Sequence, residues 1–298
     1  MEIDRRSFLS GLLLACGACI PHPRGIVVGS KNFTEQLVLG DLLAQYLEAE
    51  TRSRVERRLY LAGTYICHQA LLAGRIDLYV EYTGTALAAV LKEKATGGSH
   101  QVYEQVKQQY LRRFGLEIMP PLGFNNSFAM VMRGDDAHRL GIARVSQLAE
   151  VAPQLRLGVG YEFIERQDGY QGWVNTYELK FAQAPRVMDL GLLYRALQNR
   201  SVDIVAGNNT DGLIAALGLV VLEDDRHYFP PYDAVPVARP QIFERYRQAR
   251  FALERLAGRI TAEDMRGMNY AVDGQRRDAA EVARTFLEEQ CLTRPARS

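Results

Sequence analysis

Residues 74–85 read GRIDLYVEYTGT, and this stretch indicates the fold class most directly. Gly74 is suited to end a preceding helix, because glycine readily adopts the left-handed conformation that closes many helices. The apolar run over residues 76–80 is typical of a strand buried in a parallel sheet. A second helix is expected over residues 84–91. The stretch therefore predicts a strand that lies between two helices.

The same alternation continues on the N-terminal side. Residues 26–29 (IVVG) form another short apolar run that predicts a strand, and residues 55–61 predict the next strand. Between them, Thr34 can cap a helix whose apolar residues recur at helical spacing, and a further helix is expected over residues 64–73. This βαβαβ order implies a parallel sheet that is covered by helices on both faces.

On the C-terminal side, two segments rich in turn-forming residues interrupt the alternation. They are residues 119–126 (MPPLGFNN) and residues 229–232 (FPPY), which favour a chain crossing over the interior of a helix or strand. The tail over residues 241–290 has a helical pattern. Between the crossings a second alternating set is predicted, with strands at 128–132, 155–159 and 202–206 and helices at 172–178, 190–198 and 212–217.

We therefore predict an α/β protein of two lobes joined by a hinge of two crossing segments. The first lobe is predicted to contain residues 26–124 plus 233–298, and the second lobe residues 125–232. One continuous doubly wound domain would accommodate the same elements, so this alternative stays open. A cleft between two lobes is a favoured place for a small-molecule site.

The first 25 residues are predicted to be an export signal. Two arginines precede an apolar run over residues 8–20. This run is shorter than the about 20 apolar residues that a mature transmembrane helix needs, and it fits the hydrophobic region of a signal peptide. We therefore expect the mature chain to lie outside the cytoplasm.

The signal contains features of more than one export route. Residues 5–9 (RRSFL) resemble the twin-arginine export pattern. Residues 13–16 (LLAC) resemble a lipobox, which would place a lipid anchor on Cys16. A plain secretory signal that is cleaved near Ala18 is the alternative. The expected location is periplasmic or anchored to the cell membrane by lipid, according to the route.

The composition excludes several classes of protein. Of the 298 residues, 47% are hydrophobic and 24% are charged, which does not fit a collagen-like, disordered or multi-spanning chain. Lys and Arg number 36 against 35 Asp and Glu, so there is no basic excess for nucleic acid. Nucleotide-loop, hydrolase and metal-ligand motifs are absent, which predicts no enzyme activity, no cofactor and no metal. Cys67 and Cys291 are expected to be isolated buried thiols, with a disulfide between them as the alternative.

Several short motifs share their order and spacing with a known protein family. They are GSKNFTEQ (29–36), AGT (62–64), GRIDLYVEYTGT (74–85), PLGFNN (121–126), DGY (168–170), MDLGLLY (188–194), TDG (210–212) and LEDDRHYFPPY (222–232). Together they resemble the substrate-binding proteins of osmoprotectant ABC transporters, which bind glycine betaine, choline and carnitine. The resemblance implies a two-lobed periplasmic-binding-protein fold that holds a small quaternary ammonium ligand between its lobes. It also implies a partner permease in the membrane and a cytoplasmic ATPase, and we expect the binding protein to be a monomer.

A quaternary ammonium group limits the chemistry of its binding site. Its charge is spread over methyl groups that offer no N–H donor, so a carboxylate would attract it without selecting it over Na⁺ or lysine. Electron-rich ring faces attract the charge and also accept the methyl groups, at about 0.5–2 kcal/mol for each contact. The fifteen tyrosines of the chain, several of them near the crossings, suit such an aromatic cage.

The resemblance places eight ligand-binding candidates on this sequence. Tyr82 is the foremost, because it follows a strand at the point where open α/β sheets present ligand-facing residues. Thr85 is expected to donate to a ligand carboxylate, and Tyr65 would add a ring where some relatives carry an acid. For each ring, the alternative is a packed core side chain. The remaining candidates are Gln36, Asn126, Phe128, Tyr194 and Tyr232.

Other residues of these motifs are expected to be architectural, and two further functions stay open. Lys31, Glu35 and Asp77 are interpreted as a surface charge, a helix cap and a turn residue. An amino acid or another polar metabolite is the alternative ligand class, which Arg166 or Arg195 facing the cleft would support. An exported enzyme with the same two-lobed fold is the second alternative.

Overall fold

Two five-stranded sheets organise the chain, one at the centre of each lobe. The computed structural model describes residues 25–293, so Cys16 and residues 1–24 of the predicted export signal lie outside the described residues. The strands are β1 (Ile26–Gly29), β2 (Val55–Arg58), β3 (Leu78–Tyr82), β4 (Glu117–Ile118), β5 (Phe128–Arg133), β6 (Leu157–Val159), β7 (Arg186–Val187), β8 (Ile204–Asn208), β9 (Leu219–Leu222) and β10 (Ala234–Ala238).

Helices connect and cover these strands. The α-helices are α1 (Thr34–Thr51), α2 (Thr64–Leu72), α3 (Thr83–Thr85), α4 (Ser99–Phe114), α5 (Gly134–Leu140), α6 (Tyr161–Glu165), α7 (Tyr170–Tyr177), α8 (Leu193–Gln198), α9 (Leu213–Ala216), α10 (Pro240–Arg245), α11 (Arg247–Arg255), α12 (Ala262–Asp273) and α13 (Ala279–Glu289). Short 3₁₀ helices span Val145–Glu150, Ala152–Gln154 and Leu190–Leu192. The α-helix predicted over residues 84–91 is instead the short α3 followed by a π-helix at Ala86–Leu91.

The first sheet has the strand order β2-β1-β3-β10-β4. Strand β1 pairs in parallel with β2 and β3, as the alternation of strands and helices predicted. Strand β10 lies between β3 and β4 and runs antiparallel to both, so the sheet is mixed. The sequence analysis missed β10, because Pro236 lies within it and proline argues against a central strand.

The second sheet has the strand order β7-β6-β8-β5-β9. Strand β6 pairs in parallel with β7 and β8, whereas β5 runs antiparallel to β8 and β9. The edge strands β7 and β9 were not predicted. Strand β7 has only two residues, both exposed, and the short apolar run of β9 (LVVL) follows closely after the predicted helix over residues 212–217. Since the two sheets share no strand, the two-lobed α/β fold is confirmed over the alternative of one continuous sheet.

The two predicted crossing segments lie side by side between the sheets. The backbone N–H of Asn126 donates to the carbonyl of Tyr232 at 3.0 Å, and that of Ala234 donates to the carbonyl of Phe124 at 3.1 Å. Paired connections of this kind are where two lobes can rotate against each other, since a few backbone angles absorb the motion.

The C-terminal helices cover the first lobe. Helices α11, α12 and α13 all pack against α1, and Leu42 of α1 shares one hydrophobic core with Leu253 and Phe286. The tail therefore returns to the sheet on which the chain began. Within residues 25–293, no helix is long and apolar enough to cross a membrane.

The two cysteines of the described region are not joined. Cys67 is buried, as predicted. Cys291 is exposed, so the prediction that both thiols are buried is wrong for this residue. Cys291 lies two residues after the end of α13.

We expect Gly84→Ala to destabilise the fold. A β-carbon at this position would lie 2.6 Å from the ring of Tyr232 and 2.7 Å from the carbonyl oxygen of Pro231. Because a backbone atom cannot be moved by side-chain rotation, the free energy of unfolding should fall by about 1–3 kcal/mol in urea denaturation.

Gly267→Ala is the matched control for this substitution. Gly267 lies inside α12, and nothing lies within 4 Å of its added β-carbon. The control should raise the free energy of unfolding by about 0.5–1 kcal/mol, because alanine is the better helix former. Equal effects of the two substitutions would contradict the steric argument.

Candidate functional site

A cavity of about 300 Å³ lies between the two sheets, beside the crossing segments. The chain after β1 brings Lys31 to its wall, and the end of β3 brings Tyr82. The crossing segments contribute Asn126 and Tyr232, and the loop after α6 contributes Arg166 from the second lobe. The cavity is therefore formed jointly by both lobes and their hinge.

Aromatic rings form much of the cavity wall. The rings of Phe33 and Tyr82 are stacked with centroids 6.4 Å apart. The ring of Phe128 meets the ring of Phe163 edge-on at 5.0 Å and the ring of Tyr232 edge-on at 5.8 Å. All five line the cavity, so ring surface faces it from both lobes.

The buried guanidinium of Arg166 lies against two of these rings. Its central carbon is 4.9 Å from the centroid of Phe128 and 5.6 Å from the centroid of Tyr232. Arg166 also donates to Asp168 through two nitrogens and to the hydroxyl of Thr85 at 3.0 Å. Because Thr85 belongs to the first lobe, this last bond connects the two lobes across the cavity.

Lys31 supplies a second buried cation. It pairs with Glu81, and its ammonium nitrogen lies 5.0 Å from the ring centroid of Tyr82. The expectation that Lys31 is a surface charge is therefore wrong, since it is 2% exposed and lines the cavity. A sequence cannot show that a lysine is buried when the paired acid lies fifty positions away.

Most of the eight predicted site residues meet at this cavity. Gln36 lies behind the wall, where its Nε2 donates to the Tyr82 hydroxyl at 3.0 Å. Gln36 therefore orients the ring of Tyr82 without facing the cavity. The predicted residues that line the cavity are Tyr82, Thr85, Asn126, Phe128 and Tyr232.

The structure does not bring Tyr65 and Tyr194 to these rings. Tyr65 lies on α2, is 44% exposed and is not part of the cavity wall. Tyr194 is buried in the second lobe, where its hydroxyl donates to Asp211. It lines a neighbouring cavity of about 510 Å³ instead.

Two further expectations concern acidic residues. Asp77 is architectural, as expected, since its carboxylate accepts the backbone N–H of Val27 at 2.9 Å in the turn before β3. Glu35 is not the cap of α1. Its carboxylate is buried and accepts hydrogen bonds from the hydroxyl of Tyr82 at 2.6 Å and from the amide of Asn126 at 2.7 Å.

The described residues contain no cluster of three or more His, Cys, Asp or Glu side chains that could hold a metal ion. The two cations of the cavity are instead paired with carboxylates, Lys31 with Glu81 and Arg166 with Asp168. The chemistry that this arrangement supports is reversible binding of a small molecule by ring faces and by two cations.

Comparisons with known proteins agree with this geometry. A model of the family described as the substrate binding domain of ABC-type glycine betaine transport systems matches residues 24–289. The chain belongs to this family. Members are the substrate-binding parts of ABC importers, which work outside the cytoplasm with a permease, so the family is one of transport and not of enzymes.

Individual members of this substrate-binding family show the likeness in more detail. A carnitine transport binding protein of Listeria monocytogenes is 32% identical, over 89% of this chain and 86% of the relative. An ergothioneine transport permease and binding protein of Helicobacter pylori is 34% identical over 88% of this chain, which spans 47% of that longer protein. The crystal structure of a glycine betaine/carnitine/choline ABC transporter protein has a TM-score of 0.74 at 30% identity, with 90% of this chain and 99% of the other covered.

Sequence reasoning missed several cavity residues. Lys31 and Phe33 both lie in the GSKNFTEQ motif, shortly after the end of β1. Because the ends of strands in open α/β sheets present ligand-facing residues, this position was a signal for both side chains. Glu162 and Phe163 lie on the five-residue helix α6, which no periodic pattern predicted. Arg166 was considered only as support for an amino-acid ligand.

Asp211 of the second lobe gives a pH-dependent prediction. Burial raises the pKa of Asp211 from 3.8 to about 6, although its Oδ2 accepts from the Tyr194 hydroxyl and from the backbone N–H of Asn208. A raised pKa in the folded state means that this group's stabilising contribution is complete below about pH 4 and is lost as the pH rises through 6. The unfolding free energy should lose about 2–3 kcal/mol from this group by pH 7.

Asp211→Asn tests this pH dependence. Both donors share Oδ2, so an asparagine oxygen can accept both hydrogen bonds while the side chain no longer titrates. Urea denaturation at a series of pH values should show the decline between pH 4 and 7 in the wild-type protein and a flatter profile in the variant. Parallel profiles would show that Asp211 is not the titrating group.

Proposed function

We propose that this protein captures a zwitterionic trimethylammonium compound, such as glycine betaine or carnitine, between its lobes and delivers it to an ABC permease. The observation that carries the proposal is the cavity itself, in which ring faces and two buried cations surround one space. The names of the relatives, which include carnitine, ergothioneine and glycine betaine binders, support the same ligand class.

The ring surfaces suit the cationic end of such a ligand. Phe33, Tyr82 and Tyr232 come from the first lobe and the crossings, and Phe128, Tyr161 and Phe163 come from the second lobe. Closing the lobes would place rings on several sides of the methylated nitrogen, where each desolvated contact contributes up to about 2 kcal/mol.

The two cations suit a carboxylate at the other end of the ligand. Lys31 and Arg166 line the cavity, whereas their partners Glu81 and Asp168 lie behind them, outside its wall. The positive groups therefore face the cavity, beside the carboxylates of Glu162 and Asp189. N–H donors that remain on Lys31 and Arg166 can bind an anionic oxygen. Thr85 adds a hydroxyl beside Arg166.

The predicted site residues take different roles in this proposal. Tyr82, Phe128 and Tyr232 hold the cation, and Thr85 and Asn126 supply polar contacts. Gln36 orients Tyr82 from behind. We assign Tyr65 and Tyr194 no contact with the ligand, because neither ring reaches the cavity wall.

An amino acid remains the second candidate, because Arg166 does line the cavity. The same two cations would hold its carboxylate. Its ammonium group would need hydrogen-bond acceptors, which the carboxylates of Glu162 and Asp189 supply on part of the wall, whereas the rings that cover much of the rest offer none. The aromatic wall therefore favours a methylated nitrogen over an N–H donor.

Export and assembly follow from the same proposal. We infer that residues 1–25 direct export and that Cys16 carries a lipid anchor. We also infer that the protein acts as a monomer, since one chain supplies both walls of the cavity. Mass spectrometry of the membrane-bound mature protein would reveal the lipid on Cys16, and an unmodified N-terminus beginning after Ala18 would contradict it.

Calorimetric titration tests the ligand class. The panel contains glycine betaine, carnitine, choline and ergothioneine, with glycine and alanine as amino-acid controls. We expect binding in the micromolar range for at least one betaine and none for the amino acids. A protein that responds to none of the methylated compounds would contradict the proposed function.

Arg166→Gln should change selectivity as well as affinity. Losing the guanidinium removes a donor for the ligand carboxylate, so binding of glycine betaine or carnitine should weaken by about ten- to a hundredfold, and binding of choline by less. Arg195→Gln is the matched control, because Arg195 lies in the same lobe, is exposed and lines the neighbouring cavity. An equal loss for carboxylated and alcohol-bearing ligands would contradict this role of Arg166.

A further inference from the structure

The carboxylate of Glu35 joins four separate segments of the chain. It lies near the start of α1 and is 2% exposed. Its Oε1 accepts from the Tyr82 hydroxyl at 2.6 Å and from Nδ2 of Asn126 at 2.7 Å. Its Oε2 accepts from the Thr210 hydroxyl at 2.6 Å and from Nδ2 of Asn269 at 3.1 Å. One buried side chain thus accepts four hydrogen bonds.

These four donors belong to different parts of the molecule. Tyr82 ends β3 and Asn269 lies on α12, both in the first lobe, whereas Asn126 lies in a crossing segment. Thr210 lies in the loop between β8 and α9 of the second lobe, and its carbonyl also accepts from Asn269 at 2.9 Å. Among these contacts, the second lobe is attached to the carboxylate through the hydroxyl of Thr210.

We propose that Glu35 is a positioning residue for ligand capture, which fixes the ring of Tyr82 with one oxygen and holds the second lobe closed through Thr210 with the other. The inference rests on the proposed function, since it assigns a role in the same capture step. Glu35 acts through its neighbours and is not part of the wall of the ligand cavity.

The energetics of burial favour this role over a purely structural one. Burial raises the pKa of Glu35, although hydrogen bonds from Thr210, Tyr82, Asn269 and Asn126 oppose the shift. A buried carboxylate of this kind costs folding stability at neutral pH compared with a solvated one. The hydrogen bonds that it makes possible lie in a low-dielectric region, where they are strong and directional.

The contribution of this contact to closure can be bounded. When the lobes separate, water would replace the Thr210 hydroxyl on Oε2, so closure gains the net value of one hydrogen bond. That value corresponds to a factor of about two to ten in the closing equilibrium. Because the lobes must separate before the ligand leaves, the loss of this bond should appear mainly in the rate of ligand dissociation.

Thr210→Val removes the hydroxyl while keeping the shape of the side chain. With glycine betaine or carnitine as the probe, stopped-flow kinetics should show dissociation that is about two- to tenfold faster and association close to the wild-type rate. Thr210→Ser restores the hydroxyl and should return the dissociation rate to near the wild-type value. Trp173, the single tryptophan of the chain and buried in the second lobe, provides an intrinsic fluorescence probe.

Tyr177→Phe is the matched control for loss of a buried hydroxyl. The hydroxyl of Tyr177 donates to Asp224 within the second lobe and spans no lobe boundary. This variant should lower thermal stability and leave the dissociation rate unchanged. The control distinguishes the loss of the contact between the lobes from the general effect of removing a hydroxyl that donates to a carboxylate.

The outcomes distinguish this inference from the proposed function. A wild-type dissociation rate in Thr210→Val, or equally fast dissociation in Thr210→Ser, would overturn the role of Glu35. If the wild-type protein binds no probe, the proposed ligand class fails, and small-angle X-ray scattering then decides the inference without a ligand. A larger radius of gyration in Thr210→Val than in wild type and Thr210→Ser supports it, and identical scattering curves overturn it.

Discussion

The burial of charged groups between the lobes is the constraint on which the rest of the site depends. An isolated charge in this region would be costly, so each buried cation of the cavity has a carboxylate behind it. Lys31 pairs with Glu81, and Arg166 pairs with Asp168. These pairs fix the two cations against the rings of Tyr82 and Phe128, and so determine which surfaces remain for a ligand.

This arrangement explains why cations and rings occur together in one cavity. The ring faces stabilise the protein's own cations, and the rings that line the same space offer equivalent chemistry to a cationic ligand. A ligand with one positive and one negative end can use both features without leaving a net charge buried. This is the physical basis of the proposal that the ligand is a zwitterion of the betaine class.

The sequence was sufficient for the parts of the structure that depend on local patterns. Strands β1 and β3 and the two crossing segments were predicted because apolar runs and proline-rich turns are local signals. Strand β10 was missed because Pro236 conceals it, and its place in the sheet depends on pairing with β3 more than 150 positions earlier.

The difference between local patterns and distant partners also separates the predicted site residues from the missed ones. Tyr82, Phe128 and Tyr232 lie in motifs that place rings near strand ends and crossings, so their position at the cavity could be anticipated. The environments of Lys31 and Glu35 could not, because a charged side chain is interpreted as exposed unless its distant partner is known. Tyr194 also lies in a motif, but its side chain is buried in the second lobe, where its hydroxyl donates to Asp211.

The geometry finally suggests how contact with the ligand and closure of the lobes are coupled. The hydroxyl of Tyr82 donates to one oxygen of the Glu35 carboxylate, and the hydroxyl of Thr210 donates to the other. The orientation of a ring in the cavity and the position of the opposite lobe therefore depend on the same side chain. On the far side of the cavity, Arg166 reaches Thr85 and Glu162 accepts the backbone N–H of Thr64 at 2.7 Å. Because Glu35 and Thr210 connect the lobes from outside the cavity wall, we expect the affinity for a ligand to contain a closing contribution from residues that do not touch it. A substitution in one of those residues would change how long the ligand stays bound without changing which ligand is recognised.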